Sequence, residues 1–96
     1  MKEVFLVSAE NKNRAEMELK KDDLVSRGSI TIKSAASLGI TEDGYFIVVD
    51  ASHEALKRAE EIMKPLGAKY KHAKEVIEKI EEQENSAIEG FGNILG

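Results

Sequence analysis

Apolar residues in the first part of the chain gather in short runs that are typical of β-strands. Residues 4–7 and residues 45–49 are unbroken apolar runs, which predict strands covered on both faces; the second run is predicted to be central in its sheet. Residues 30–32 alternate with the period of two that a half-buried strand requires. Residues 68–71 place lysines beside an alanine and a tyrosine, which predicts a short edge strand.

Two helices are predicted between these strands from their end signals. Asn11 is the predicted N-cap of a helix over residues 12–26, with a break near Asp22. Ser52 is the predicted N-cap of a second helix, which Pro65 ends because proline cannot continue the backbone hydrogen bonds. On the exposed face of this helix, two i,i+4 pairs are expected: Glu54 with Arg58, and Glu60 with Lys64.

An amphipathic pattern then runs from residue 72 to the C-terminus. Apolar residues recur there at steps of three, four or seven, which predicts a long third helix, or a helix with a broken end, and an apolar tail over residues 72–96. Glu84 interrupts the stripe. Such a stripe either completes the core of its own chain or forms an interface with a partner. The candidate interface residues are Ile80, Ile88, Phe91, Ile94 and Leu95.

The order of these elements predicts a single α+β domain over residues 1–96. A chain of 96 residues is long enough for one hydrophobic core and too short for two ordinary domains. Two βαβ-like halves with right-handed crossovers give an antiparallel four-stranded sheet with helices on one face. The predicted fold is therefore a ferredoxin-like plait (βαββαβ) with an appended C-terminal amphipathic helix.

The same order over residues 4–70 resembles that of ACT-like regulatory modules. The resemblance implies a ferredoxin-like fold and the binding of a small ligand, often an amino acid, at a subunit interface. In this chain residues 11–13, Asn-Lys-Asn, stand where those modules commonly have a glycine at the start of the first helix. The resemblance makes an ACT-like small-ligand-binding module one of the functions left open.

Composition removes most kinds of catalytic or metal site. The chain has no cysteine, which excludes disulfides, cysteine-ligated metals and thiol nucleophiles. Its two histidines, His53 and His72, have no second histidine at ligand spacing, and neither a nucleophile elbow nor a glycine-rich phosphate loop occurs. We therefore expect no enzymatic activity, no cofactor and no metal.

Charge and hydropathy indicate where the protein works. The net charge of −4 disfavours unspecific attraction to nucleic acid or to anionic lipid. The apolar run of residues 4–7 is too short for a signal peptide or a membrane span, so we expect a cytoplasmic protein with no membrane contact.

Two local groups of charged residues could bind anions despite the negative net charge of the chain. The turn after the first strand carries charges and backbone amides that could hold a small anion, although a capped turn explains the same residues. Residues 64–74 contain four lysines and no acidic residue, with aromatic rings between them, which suits RNA as well as a protected sheet edge. The anion candidates are Asn11, Lys12 and Arg14, and the nucleic-acid candidates are Lys69, Tyr70, Lys71 and Lys74.

The sequence thus favours a non-catalytic regulatory or protein-interaction module that forms a homo-oligomer through its C-terminal helix. RNA binding through residues 64–74 and ACT-like ligand binding remain as alternatives.

Overall fold

Four antiparallel strands form one sheet at the centre of the protein. The computed structural model describes the backbone of residues 1–95 and the side chains of residues 1–84. The strand order is β2-β3-β1-β4, so β1 and β3 are central and β2 and β4 are the edges. The strands are β1 (Lys2–Val7), β2 (Ser29–Ser34), β3 (Tyr45–Asp50) and β4 (Gly67–Lys69).

Three α-helices accompany the sheet: α1 (Ala9–Lys21), α2 (His53–Met63) and α3 (Ala73–Leu95). Short 3₁₀ turns follow α1 at Val25–Arg27 and β2 at Ala36–Leu38. Ser52 caps α2 as predicted, because its hydroxyl accepts a hydrogen bond from the Ala55 amide at 3.2 Å. The cap of α1 is Ser8 and not Asn11, which lies inside the first turn and donates its amide to the Ser8 hydroxyl at 3.3 Å.

The turn into β3 depends on a glycine. Gly44 has a φ of 112°, a conformation that side chains with a Cβ rarely adopt. A Cβ at this position would also run into the carbonyl oxygen of Val7, on the neighbouring strand β1. The chain can therefore enter β3 next to the end of β1 only because residue 44 has no side chain.

The sheet is covered on both faces. Alternate residues of β1 point to opposite sides, so Phe5 and Val7 pack with α1 and α2, whereas Val4 packs with α3. The core facing α1 and α2 includes Ala15, Leu19, Ile47, Val49, Leu56, Ala59 and Met63. The core facing α3 includes Ala35, Leu38, Phe46, Val48, Val76 and Ile80.

The strand predictions are confirmed, including the central place of β3 and the short edge strand β4, and so is the break after α1 at Asp22. The predicted pairs on α2 are wrong. Arg58 instead bonds Asp22 at 2.8 Å and Glu61 at 3.2 Å, and Glu60 bonds Lys69 at 2.9 Å. Asp22 and Lys69 lie outside α2, so spacing along that helix does not reveal them, whereas Glu61 lies three residues after Arg58 on α2 itself.

The placement of the core predicts unequal effects of two alanine substitutions. Ile47 is completely buried on the central strand β3, so Ile47→Ala should leave a cavity and lower the free energy of unfolding by about 2–5 kcal/mol. Lys71 is exposed, and Lys71→Ala should change it by less than about 0.5 kcal/mol. Urea unfolding followed by circular dichroism measures both, and equal effects would contradict this description of the core.

Candidate functional site

A concave surface lies between α3 and the β2 side of the sheet. It is an open cleft of about 480 Å³, floored by Thr31 and Val48 and walled on the helix side by Ile77 and Ile80. Polar groups surround this apolar floor: Lys2, Ser29, Asp50, Glu81 and Glu84.

The charged groups around the cleft are partly paired with one another. The Lys2 ammonium lies 3.8 Å from a Glu81 carboxylate oxygen, and the N-terminal ammonium of Met1 lies 3.4 Å from Asp50 Oδ1. All four groups are largely exposed to water, so each pair contributes little to stability. The rim has three carboxylates against one lysine, and it therefore favours a cationic or hydrogen-bond-donating group on whatever enters the cleft.

The predicted interface residues divide into two groups. Ile80 is 7% exposed and belongs to the core beneath α3, with only its edge at the wall of the cleft. The other four, Ile88, Phe91, Ile94 and Leu95, lie outside the residues whose side chains the structure describes. The backbone of α3 is helical through Leu95.

The predicted anion loop is largely engaged with its own chain. Asn11 donates its side-chain Nδ2 to the Leu66 carbonyl at 3.1 Å, which ties α1 to the segment before β4. The Lys12 ammonium lies 5.0 Å from the centre of the Tyr45 ring, a cation–π contact. Arg14 is exposed to solvent.

The predicted nucleic-acid patch is spread over different environments. Lys69 bridges two carboxylates, Glu60 at 2.9 Å and Glu3 at 3.1 Å, and these two partners raise its pKa, the hydrogen bond to Glu60 most. Tyr70 packs against Phe46 with ring centres 4.8 Å apart, and burial raises its pKa. Lys71 and Lys74 are exposed.

Tyr70 and Lys69 are therefore held by contacts within the chain, and the sheet face behind Tyr70 is covered by α3. An RNA-binding sheet uses aromatic side chains on an open face, where bases can stack on them. The lysine-protected edge, the alternative raised by the sequence, accounts for the position of Lys69 beside β1.

Asp22 has a role that the sequence did not indicate. One of its carboxylate oxygens accepts hydrogen bonds from the amides of Leu24 and Val25, at 3.0 and 3.1 Å, and the other accepts from Arg58. The bond from Arg58 is the largest of the effects that lower the pKa of Asp22. Asp22 thus connects the turn after α1 to α2. Because Arg58 lies 36 residues further along the chain, local sequence does not predict this contact.

In the part of the chain whose side chains are described, no three His, Asp or Glu residues come together as a metal site would require. Nor does any helix of that part have the length and apolarity needed to cross a bilayer. Comparison with known proteins gives no match, either to a protein-family model, to a curated protein or to a solved structure.

The contacts of Asp22 predict a specific dependence of stability on pH. Because its folded pKa is lowered from the ordinary 3.8, its ionised form stabilises the fold above that value, and this stability is lost as the pH falls through the lower folded pKa. Asp22→Asn should lower the Tm at pH 7 by a few degrees, and the difference from the parent protein should shrink as the pH approaches the acid limit.

Asp23→Asn is the matched control, because it removes the same charge from the neighbouring exposed residue. Thermal melts between pH 7 and pH 3 measure both variants. If Asp22→Asn and Asp23→Asn show the same pH dependence, the bond between Asp22 and Arg58 does not stabilise the protein.

Proposed function

We propose that this protein is a small cytoplasmic, non-catalytic interaction module that works as a homo-oligomer through the C-terminal part of α3. The proposal includes a regulatory or scaffolding role, in which the oligomer presents the surface that a further partner recognises. Its support comes from the way α3 relates to the sheet that it covers.

The observation that carries the proposal is that α3 reaches β2, at the edge of the sheet, before the apolar stripe of the helix ends. Val76 and Ile80 are buried against the sheet, and Glu84 lines the cleft together with Thr31 of the edge strand β2. Among residues 1–95, whose backbone is described, no strand follows β2 in the sheet. The residues after Glu84 therefore have no further strand of their own sheet to cover.

The stripe nevertheless continues in phase. At about 100° per residue, the apolar positions of residues 87–95 fall on the same side of α3 as Val76 and Ile80. An apolar helix face of this kind requires a cover, and in soluble oligomers the usual cover is a symmetric copy of the same chain. A second protomer is therefore the proposed partner of Ile88, Phe91, Ile94 and Leu95.

The non-catalytic part of the proposal is supported by what the titratable groups do. The adjacent acids Asp22 and Asp23 could have formed an acid–base pair. Asp22, however, accepts hydrogen bonds from Arg58 and from two backbone amides, whereas Asp23 is exposed to solvent. His53 begins α2 at the surface, and His72 lies against the Tyr70 ring at 5.8 Å. None of these residues points into the cleft beside α3.

The two alternatives from the sequence have weaker support. For RNA binding, Lys69 and Tyr70 are already engaged by Glu3, Glu60 and Phe46. For an ACT-like ligand site, the side chain of Asn11 at the start of α1 is bound to the Leu66 carbonyl. RNA binding would appear as salt-dependent retention of the protein on immobilised RNA.

For the fold, we propose the ferredoxin-like plait with α3 appended on the opposite face. The support is the strand order β2-β3-β1-β4 with antiparallel neighbours, together with α1 and α2 on one face as the connections from β1 to β2 and from β3 to β4. In such a plait α3 occupies the face that is otherwise open.

The interface on α3 is tested by adding charge to its apolar face. Phe91→Asp combined with Ile94→Asp should shift the native mass towards that of a monomer, because two carboxylates would have to be buried without partners. Ser86→Asp combined with Asn93→Asp is the matched control, since these positions lie on the opposite side of the helix by the same spacing.

Light scattering at several concentrations gives the native mass, and far-ultraviolet circular dichroism verifies that each variant is folded. The proposal predicts an oligomer for the parent protein and for the control. A parent protein that is monomeric at high micromolar concentration, or a control that dissociates as readily as the test variant, would contradict it.

The absence of catalysis is tested by screening the pure protein for hydrolase, transferase and nucleotide-turnover activities. We expect no turnover, because the acids and histidines have structural or solvent-exposed positions. An activity that disappears with a single substitution of Asp22, Asp23, His53 or His72 would show that the protein is an enzyme.

A further inference from the structure

The strand β2 has one side that is not used within the sheet. Within the described backbone it pairs only with β3, in a continuous antiparallel register from Ser29 opposite Asp50 to Ser34 opposite Tyr45. The Ala35 amide donates a hydrogen bond to the Gly44 carbonyl at 3.0 Å, so residues 35 and 44 are a hydrogen-bonded pair. In an antiparallel ladder such pairs alternate with pairs that are not hydrogen-bonded. By that alternation, residues 29, 31 and 33 direct their backbone groups to β3, whereas Ile30 and Ile32 direct theirs away from the sheet.

The two edges of the sheet differ in how well they are protected. The edge strand β4 has three residues, and Lys69 at its end is held by Glu3 and Glu60. The edge strand β2 has six residues, no proline and no interruption of its register with β3, and its one charged residue, Lys33, lies near its end. Natural sheets usually guard a long free edge with several such devices, so an edge with a single lysine is open to strand pairing with another chain.

We propose that β2 pairs with β2 of a second copy of this chain, antiparallel and centred on Thr31, to form a continuous sheet across the dimer. This inference rests on the proposed homo-oligomer and identifies a surface through which it forms. The symmetric register places Ile30 opposite the partner's Ile32, so that four backbone hydrogen bonds form from groups now directed away from the sheet. It places Thr31 opposite its own copy.

The side chains of β2 match in this register. Ile30 and Ile32 pack on the core facing α1 and α2, and the two copies bring apolar residues together on that face. On the other face Thr31 meets Thr31, a pair that is favourable between strands. The segment is thus complementary to itself, which is what a two-fold contact requires.

The charges also match. Lys33 of one copy comes opposite Ser29 of the other, and Ser29 lines the cleft together with Asp50 and Glu84. The acidic rim of the cleft therefore receives a lysine from the partner. A strand from an unrelated acidic protein would not provide this pairing, and this favours a second copy as the occupant.

The same arrangement brings the two α3 helices together. In a sheet formed by antiparallel β2 strands around a two-fold axis, equivalent faces of both protomers lie on the same side. Since α3 lies beside β2 through Glu84 and Thr31, both α3 helices then lie above the shared strands. The β2 contact and the proposed α3 contact are parts of one interface.

The register can be tested with a single cysteine, because the chain has none. In the proposed dimer the two copies of residue 31 form a non-hydrogen-bonded pair on the axis, with Cα atoms about 4.5 Å apart, which a disulfide can bridge. Thr31→Cys should therefore form a covalent dimer under mild oxidation at a rate at least about ten times that of Ser29→Cys.

Ser29→Cys is the matched control, because the two copies of residue 29 would be roughly 14 Å apart along the strands, beyond the reach of a disulfide. The measurement is non-reducing gel electrophoresis over time, with light scattering on the reduced proteins. A dimer in solution in which both variants cross-link at the same rate would overturn β2 pairing and leave the α3 interface standing. A monomeric parent protein would overturn both.

Lys33→Glu provides a second test should Thr31→Cys not fold. It should raise the dimer dissociation constant about tenfold by placing a carboxylate against the acidic rim of the partner's cleft. Lys57→Glu, an exposed residue of α2, makes the same charge change away from β2 and should leave the constant unchanged. Equal effects of the two variants would contradict the register.

Discussion

The two central strands carry apolar side chains on both faces, and the positions of the helices follow from the need to cover them. On β1, Phe5 and Val7 face α1 and α2, whereas Val4 faces α3. A sheet with one covered face would leave Val4, Phe46 and Val48 in water, at a cost of roughly 1.5–3 kcal/mol for each fully exposed side chain. The third helix is therefore an integral layer of the domain.

The sequence allowed the strands, the second helix and the break after α1 to be predicted, because each depends on neighbouring residues. Tyr45–Asp50 is a run of β-forming residues, and Ser52 can cap α2 with its own hydroxyl. The sequence predicts Asn11 as the cap of α1 because its side-chain oxygen can accept a hydrogen bond from an amide at the start of a helix. In the structure Ser8 is the cap, and the Asn11 side chain donates to the Leu66 carbonyl, a long-range bond that the local sequence does not reveal.

The candidate sites were harder to predict than the fold because they depend on contacts between distant segments. Lys69 was grouped with its neighbouring lysines, yet its charge is taken by Glu3 and Glu60 from β1 and α2. The spacing predicts that Arg58 pairs with Glu54 on its own helix, yet it bonds Asp22 at the end of α1 and Glu61 on α2. Ile80 was grouped with the tail by spacing alone, although its side chain lies in the core. Spacing identifies a helix face but not what that face meets.

The shortness of β4 limits how far this sheet can grow. A strand of three residues offers few backbone groups to an incoming chain. The ion pairs of Lys69 with Glu3 and Glu60 also place charged side chains beside this edge. Open-ended strand addition, the route by which folded domains are recruited into fibres, needs two receptive edges on every copy. A domain with one long and one very short edge cannot propagate in this way, so the asymmetry of its sheet protects it from fibrillar assembly.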